Sequence, residues 1–206
     1  MTELRGPYVS YPMDTGRSYG GSQSWSACRD VRAYGCGLVA CCDVLHYLAL
    51  RHPDCSMDFG SSDYGEVLAL LRKKYFPIFP LLGMNGWLIA KGLRHYFRNY
   101  GVPLKASWGV GRRRVWQKAE EMLTSDIPVV LCIGPSLGRD RRIGLYAGRE
   151  GALPACRVSG HYVTVTALDG EWARVSSWGK AYWLRREEYD RSALPWFSDI
   201  AYIRSQ

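Results

Sequence analysis

The spacing of apolar residues changes period near the middle of the chain. Leu38, Cys42, Leu45 and Leu48/Ala49 recur at helical intervals and predict a helix to about Leu50, stopped before Pro53. A second helix is expected over 64–74, with Val67, Leu68 and Leu71 on its apolar face. The third is the clearest. Asn85 has the side chain of an N-cap, Leu88/Ile89, Gly92/Leu93, Tyr96/Phe97 and Tyr100 follow at helical spacing, and Gly101 is the expected stop. A fourth helix, around Arg113–Leu123, carries Val115, Ala119 and Leu123.

Beyond Asp126 the pattern becomes that of strands. Pro128–Ile133 is a short apolar run ended by Gly-Pro, and Ile143–Tyr146 predicts a second strand. The β-branched alternation of His161–Leu168 predicts a third, Asp169-Gly170 a hairpin turn, and Trp172–Ser177 the returning strand. Tyr182–Leu184 and Ile200–Ile203 complete an expected antiparallel sheet. Helices followed by strands indicate an α+β fold whose two halves pack as lobes with a cleft between them. Residues 1–22 are rich in Gly, Ser, Tyr and Pro without a sustained period, and read as an extended arm. No repeat, low-complexity tract or linker divides the remainder, so 23–206 is expected to form one domain.

Composition narrows the possibilities. With 47% hydrophobic and 22% charged residues among 206, the chain can bury a core. No apolar run approaches the roughly 20 residues that span a bilayer, and the first residues lack the apolar region of a secretory signal. The net charge of +8 includes two clusters, Arg112–Arg114 and Arg139, Arg141 and Arg142. Only Trp116 lies near either one to stack on bases, so a solvated basic face is expected rather than a nucleic-acid site. Seven cysteines, an odd number, point to free thiols in a reducing, cytoplasmic setting, with delivery by a non-classical route left open. The chain has no Cys-x-x-Cys pair, and its four histidines (46, 52, 95 and 161) include no His-x-x-x-His. Neither a metal nor a cofactor is implied.

The candidate chemistry lies in three short segments. In Tyr34-Gly-Cys36-Gly-Leu the cysteine stands where a loop turns into a helix, a place where free N–H groups and the helix dipole favour a thiolate. Cys41 and Cys42 lie deeper in that helix, Cys28 in polar sequence before it, and Cys132 in an apolar strand, so Cys36 is the preferred nucleophile. Its base is sought on another element. His161, at the mouth of the strongest strand and after Gly160, is better placed than His46, His52 or His95. The hairpin returns Ser176 or Ser177 beside that histidine to accept Nδ1–H and leave Nε2 toward the sulfur, with Trp178 as a cover. Gln23 supplies an amide donor to an oxyanion, beside the backbone N–H of Cys36.

The order Gln23, Gly-Cys36-Gly at a helix start, Gly-His161-Tyr-Val at a strand start and then Ser-Ser-Trp-Gly resembles the papain-like cysteine peptidases. The separation of 125 residues between Cys36 and His161 is close to the roughly 130–150 of that family. Tyr-Gly-Cys-Gly and Gly-His-Tyr-Val-Thr-Val-Thr are more similar to the bacterial branch that cleaves double-glycine leaders, and to its stand-alone relatives. The resemblance implies a two-lobe papain-like fold with Cys36 as nucleophile, His161 as base and Gln23 in the oxyanion hole. Where the family places Asn or Asp before Ser-Trp-Gly, this chain has Ser176, which implies an uncharged orienting group. The implied reaction is hydrolysis of a peptide or isopeptide bond in a peptide or protein substrate, through an acyl-thioester. The same dyad also serves acyl transfer or glutamine deamidation, and a relative that only binds peptides would keep the same fold.

Overall fold

The computed structural model describes residues 1–14, 16–51, 59, 63–80, 83–136, 142–150, 153–192 and 197–206. His52, Arg139 and Arg141, singled out above, lie outside them, as does Cys55, one of the seven cysteines.

The chain forms β1 (Thr2–Glu3), β2 (Pro12–Met13), β3 (Gly16–Arg17), α1 (Arg29–Tyr34), α2 (Cys36–Arg51), α3 (Tyr64–Lys74) and α4 (Gly86–Asn99). There follow β4 (Leu104–Trp108), α5 (Val115–Thr124), β5 (Val129–Ile133), β6 (Ile143–Leu145), β7 (Cys156–Val158) and β8 (His161–Asp169). β9 (Trp172–Ser177), β10 (Lys180–Arg185), α6 (Arg186–Ser192) and β11 (Ile200–Ser205) complete it. Gln23–Trp25 and Arg112–Arg114 are single 3₁₀ turns.

The main sheet is antiparallel in the order β10-β9-β8-β5-β11-β4. β5 pairs with β8 from Val129↔Val165 to Ile133↔His161, and β1 takes up Ala167 and Leu168 of β8 beyond the end of β5. α2 packs on β8 and β5, whereas α5 packs on β11 and β1. This cover on both faces explains why all of β5, and β8 from His161 to Leu168, are buried. It also explains why β5 reads as a continuous apolar run rather than an alternating one. Each fully buried Val, Leu or Ile in that run contributes about 1.5–3 kcal/mol.

The helices follow their sequence signals closely. The Asn85 side chain accepts from Leu88 N–H at 2.9 Å, and the apolar stripe Ile89, Leu93, Tyr96 and Phe97 is buried. Besides the short strands β1–β3 of the first residues, four elements were not read from the sequence. β4, from the helical first half, is the edge strand beside β11, and α1 stands directly before the Cys36 helix. α6 and β7 are short. The segment expected to be an arm contributes to the core. Leu4, Tyr8 and Val9 are buried, and Arg5 N–H is held by the Asp126 carboxylate at 2.8 Å. No helix among the described residues is long and apolar enough to cross a membrane.

Candidate active site

The loop before α2 fixes where the thiol stands. α1 ends as Gly35 N–H bonds to Val31 O at 2.8 Å, and α2 begins with the next residue, so Cys36 belongs to the first helical turn. Gly37 lets the sheet close on that turn. A Cβ there would lie 2.9 Å from Met84 Cε and 3.2 Å from Tyr162 Cδ2. Cys36 and His161 line one small cleft of about 250 Å³, counting its mouth. Gly21, Gln23, Val39, Ala40 and Asp43 complete the helical side, and Tyr162, Thr164, Ser176, Ser177 and Trp178 the sheet side.

His161 is 8% exposed, and its Nε2 is 2.7 Å from Ser177 Oγ. The Trp178 ring lies on the imidazole, with centroids 4.5 Å apart and planes at 22°. Trp178 has φ +51°, a left-handed conformation unusual for a bulky side chain, and with Gly179 (φ +75°) it forms the tight turn between β9 and β10. The conformation that costs backbone energy is thus the one that places the indole over the histidine.

This arrangement corrects two sequence expectations. Ser176 is not the histidine's partner, because its hydroxyl donates to Tyr19 O at 2.8 Å; the partner is Ser177. The nitrogen so engaged is Nε2 rather than Nδ1. The tautomer that donates Nε2–H to Ser177 leaves the Nδ1 lone pair to take a proton. Alternation along a strand separates adjacent side chains, and sequence alone did not decide which serine faced the histidine.

The electrostatics differ from expectation as well. Burial pushes the Cys36 thiol above its ordinary range, against the backbone N–H groups of Tyr162, Gly37 and Cys36 itself, which pull it down. Burial also lowers His161 to about 4. At neutral pH the two are therefore a thiol and a neutral imidazole, not a thiolate–imidazolium pair. Desolvation at this helix start outweighs the dipole that was expected to dominate.

Gln23 lines the same cleft, and its Nε2 donates one N–H to Arg32 O at 2.7 Å. An amide nitrogen has a second N–H, which can serve an oxyanion together with the Cys36 backbone N–H, free of an intrahelical partner in the first turn. α1, absent from the sequence reading, is therefore what orients Gln23. The other two described histidines do other work. His46 Nδ1 is 2.9 Å from Tyr11 Oη, and His95 packs edge-on to Tyr75. Of the aromatics, Tyr162 lines the cleft, Trp108 packs against it edge-on, and Trp87 is 68% exposed. Asp169 pairs with Arg149 at its hairpin, away from the histidine.

Sequence reasoning missed Asp43, a carboxylate 1% exposed at the inner end of the cleft. Its signal was present: a charged residue inside the apolar stretch from Leu38 to Leu48. Among the described residues, no group of three His, Cys, Asp or Glu side chains is placed to hold a metal ion.

No family model matches the chain, and no curated protein matches it in sequence. Among solved structures, it is similar to the crystal structure of a protein from Bacillus anthracis described as a candidate C39-like peptidase. The identity is 13% and the TM-score 0.45, over 84% of this chain and 90% of that one.

Proposed function

We propose that the protein is a cysteine peptidase that cleaves a peptide or isopeptide bond through an acyl-thioester on Cys36. The observation that carries this reading is the cleft itself, in which a helix-start thiol, a serine-held histidine and a glutamine amide meet. His161 Nδ1 takes the thiol proton as Sγ attacks the carbonyl carbon, and the C–S bond forms. The oxyanion is met by the Cys36 backbone N–H and the Gln23 amide. The imidazolium gives its proton to the leaving nitrogen as the C–N bond breaks. Water then adds to the thioester with His161 again as base, releasing the acid and the thiol. A histidine held neutral at pH 7 is suited to the first step, since it can accept the proton as the substrate arrives.

One observation favours a second reading, a peptide-binding relative without turnover. The group holding His161 is a serine hydroxyl, which carries no charge to stabilise an imidazolium. Digestion of a proteome-derived peptide library, with new termini located by mass spectrometry, separates the two. New termini are expected from the wild type and none from Cys36→Ala, and Ser177→Ala should slow their appearance by roughly tenfold. Capture of peptides without cleavage would establish the binding reading. Products that form only when an amine acceptor is added would make the enzyme an acyltransferase, and conversion of glutamine to glutamate without chain cleavage a deamidase.

A further inference from the structure

Resting on the peptidase reading of the cleft, we propose that Asp43 is a positioning residue that holds the Gln23 loop in register with Cys36. Both residues stand on α2, Cys36 at its first position and Asp43 two turns further in. The Asp43 carboxylate accepts the Gly21 backbone N–H on both oxygens, at 3.1 and 2.9 Å, two residues before Gln23. A single helix thus fixes the nucleophile and the backbone that leads into the oxyanion donor.

The anchor is built with some redundancy. Tyr11 and Tyr64 hydroxyls donate to Oδ1 at 3.3 Å each, and the Tyr8 hydroxyl to Oδ2 at 3.4 Å. Cys42 is the neighbouring thiol, and His46 stands behind Tyr11, 2.9 Å from its hydroxyl. No Lys or Arg among the described residues pairs with Asp43. A buried carboxylate held by neutral donors alone is costly, and burial raises it to about 7. An apolar residue would have filled the same volume without that cost, so the carboxylate is explained by what it holds.

The segment it holds is clamped on its other side by the turn that covers the histidine. Gly179 N–H donates to Gly21 O at 2.8 Å, and Tyr19 N–H donates to Gly179 O at 2.8 Å. Gly20 has φ +73°, and a Cβ there would lie 2.1 Å from Ser176 Oγ and 2.5 Å from Asp43 Oδ2, so the backbone passes directly between the two. Ser176, excluded as the histidine's partner, belongs to this clamp through Tyr19 O.

The test is a double-mutant cycle on the library peptide that the wild type cleaves fastest, joined to hydrogen exchange of the amides of residues 20–25. Asp43→Asn should lower kcat by about tenfold or more with KM within about twofold, and should lower it no further in a Gln23→Ala background. Amides of the 20–25 segment should exchange about tenfold faster, while iodoacetamide labelling of Cys36 stays within about twofold. Tyr64→Phe, which removes one donor and no charge, should shift kcat and exchange in the same direction by less, and stands in should Asp43→Asn fail to fold. An equal loss of kcat with and without Gln23 would overturn the proposal, as would unchanged exchange of the segment. If the wild type cleaves no peptide, the peptidase reading fails, and exchange alone then decides whether Asp43 anchors the loop.

Discussion

Two cysteines of this chain stand at the starts of consecutive helices, and their thiols are driven in opposite directions. Cys28 is the N-cap of α1 and, like Cys36, is a partly exposed residue, with the Arg72 guanidinium 2.7 Å from its sulfur. The Val31 backbone N–H, then that of Asp30 and the Arg72 charge, bring its thiol below the ordinary range. Cys36 opens α2, a longer helix, and is pushed the other way by burial. The comparison teaches that a helix start favours a thiolate where a cation stands beside the sulfur, and not where desolvation of the thiol dominates. The more acidic thiol is not the one in the cleft. On the proposed mechanism Cys36 reacts through a base that acts when substrate is present, whereas the groups that lower the Cys28 thiol are in place in the resting fold.

The larger effect that would break this contrast concerns the base. His161 has a folded pKa of about 4, below its unfolded value of roughly 6.5, so between those limits the unfolded chain binds more protons. Its contribution to stability is present above pH 6.5 and is lost as pH falls through 4. Asp43, raised to about 7, contributes a slope of opposite sign, its stability present at low pH and lost as pH rises toward 7. Urea unfolding at pH 4 and pH 7 should therefore be read as a difference between His161→Ala and wild type. The variant should gain about 3 kcal/mol relative to wild type on going from pH 7 to pH 4. No relative change would mean that the folded histidine takes up its proton at the same pH as in the unfolded chain, and burial would then not be what keeps the base of the cleft neutral.

A smaller effect sharpens the other side. Arg72→Gln removes the charge beside Cys28 while leaving the backbone donors, and should slow iodoacetamide labelling of Cys28 at pH 7 by about threefold. Labelling of Cys36, read from the same digest, should not change. A shift at both sites would indicate that α1 and α2 respond together.

The regular helices and central strands were legible because their signals are local. Asn85 caps α4 as its side chain predicts, and the β-branched run from His161 forms β8. β4 and α1 were not, since Leu104–Trp108 and Arg29–Tyr34 are short and take their structure from the neighbours they pack against. In the site, Cys36, His161 and Gln23 were chosen by residue type and position, and the cleft brings all three together. The choice between Ser176 and Ser177 depends on which strand face meets the imidazole, and that is set by the pairing of β8 with β9 around its irregularity between Val165 and Ala167. The direction of the Cys36 shift depends on burial in the folded cleft, which no local motif carries.

The most direct test of Cys36 as nucleophile is to quench the library reaction in acid within its first turnovers and locate the acyl group by peptide mass spectrometry. A thioester of the amino-terminal product on Cys36, in a protein whose Cys28 remains unmodified, is the predicted result. Continued cleavage with no adduct on Cys36, or with the acyl group on Cys28, would contradict it.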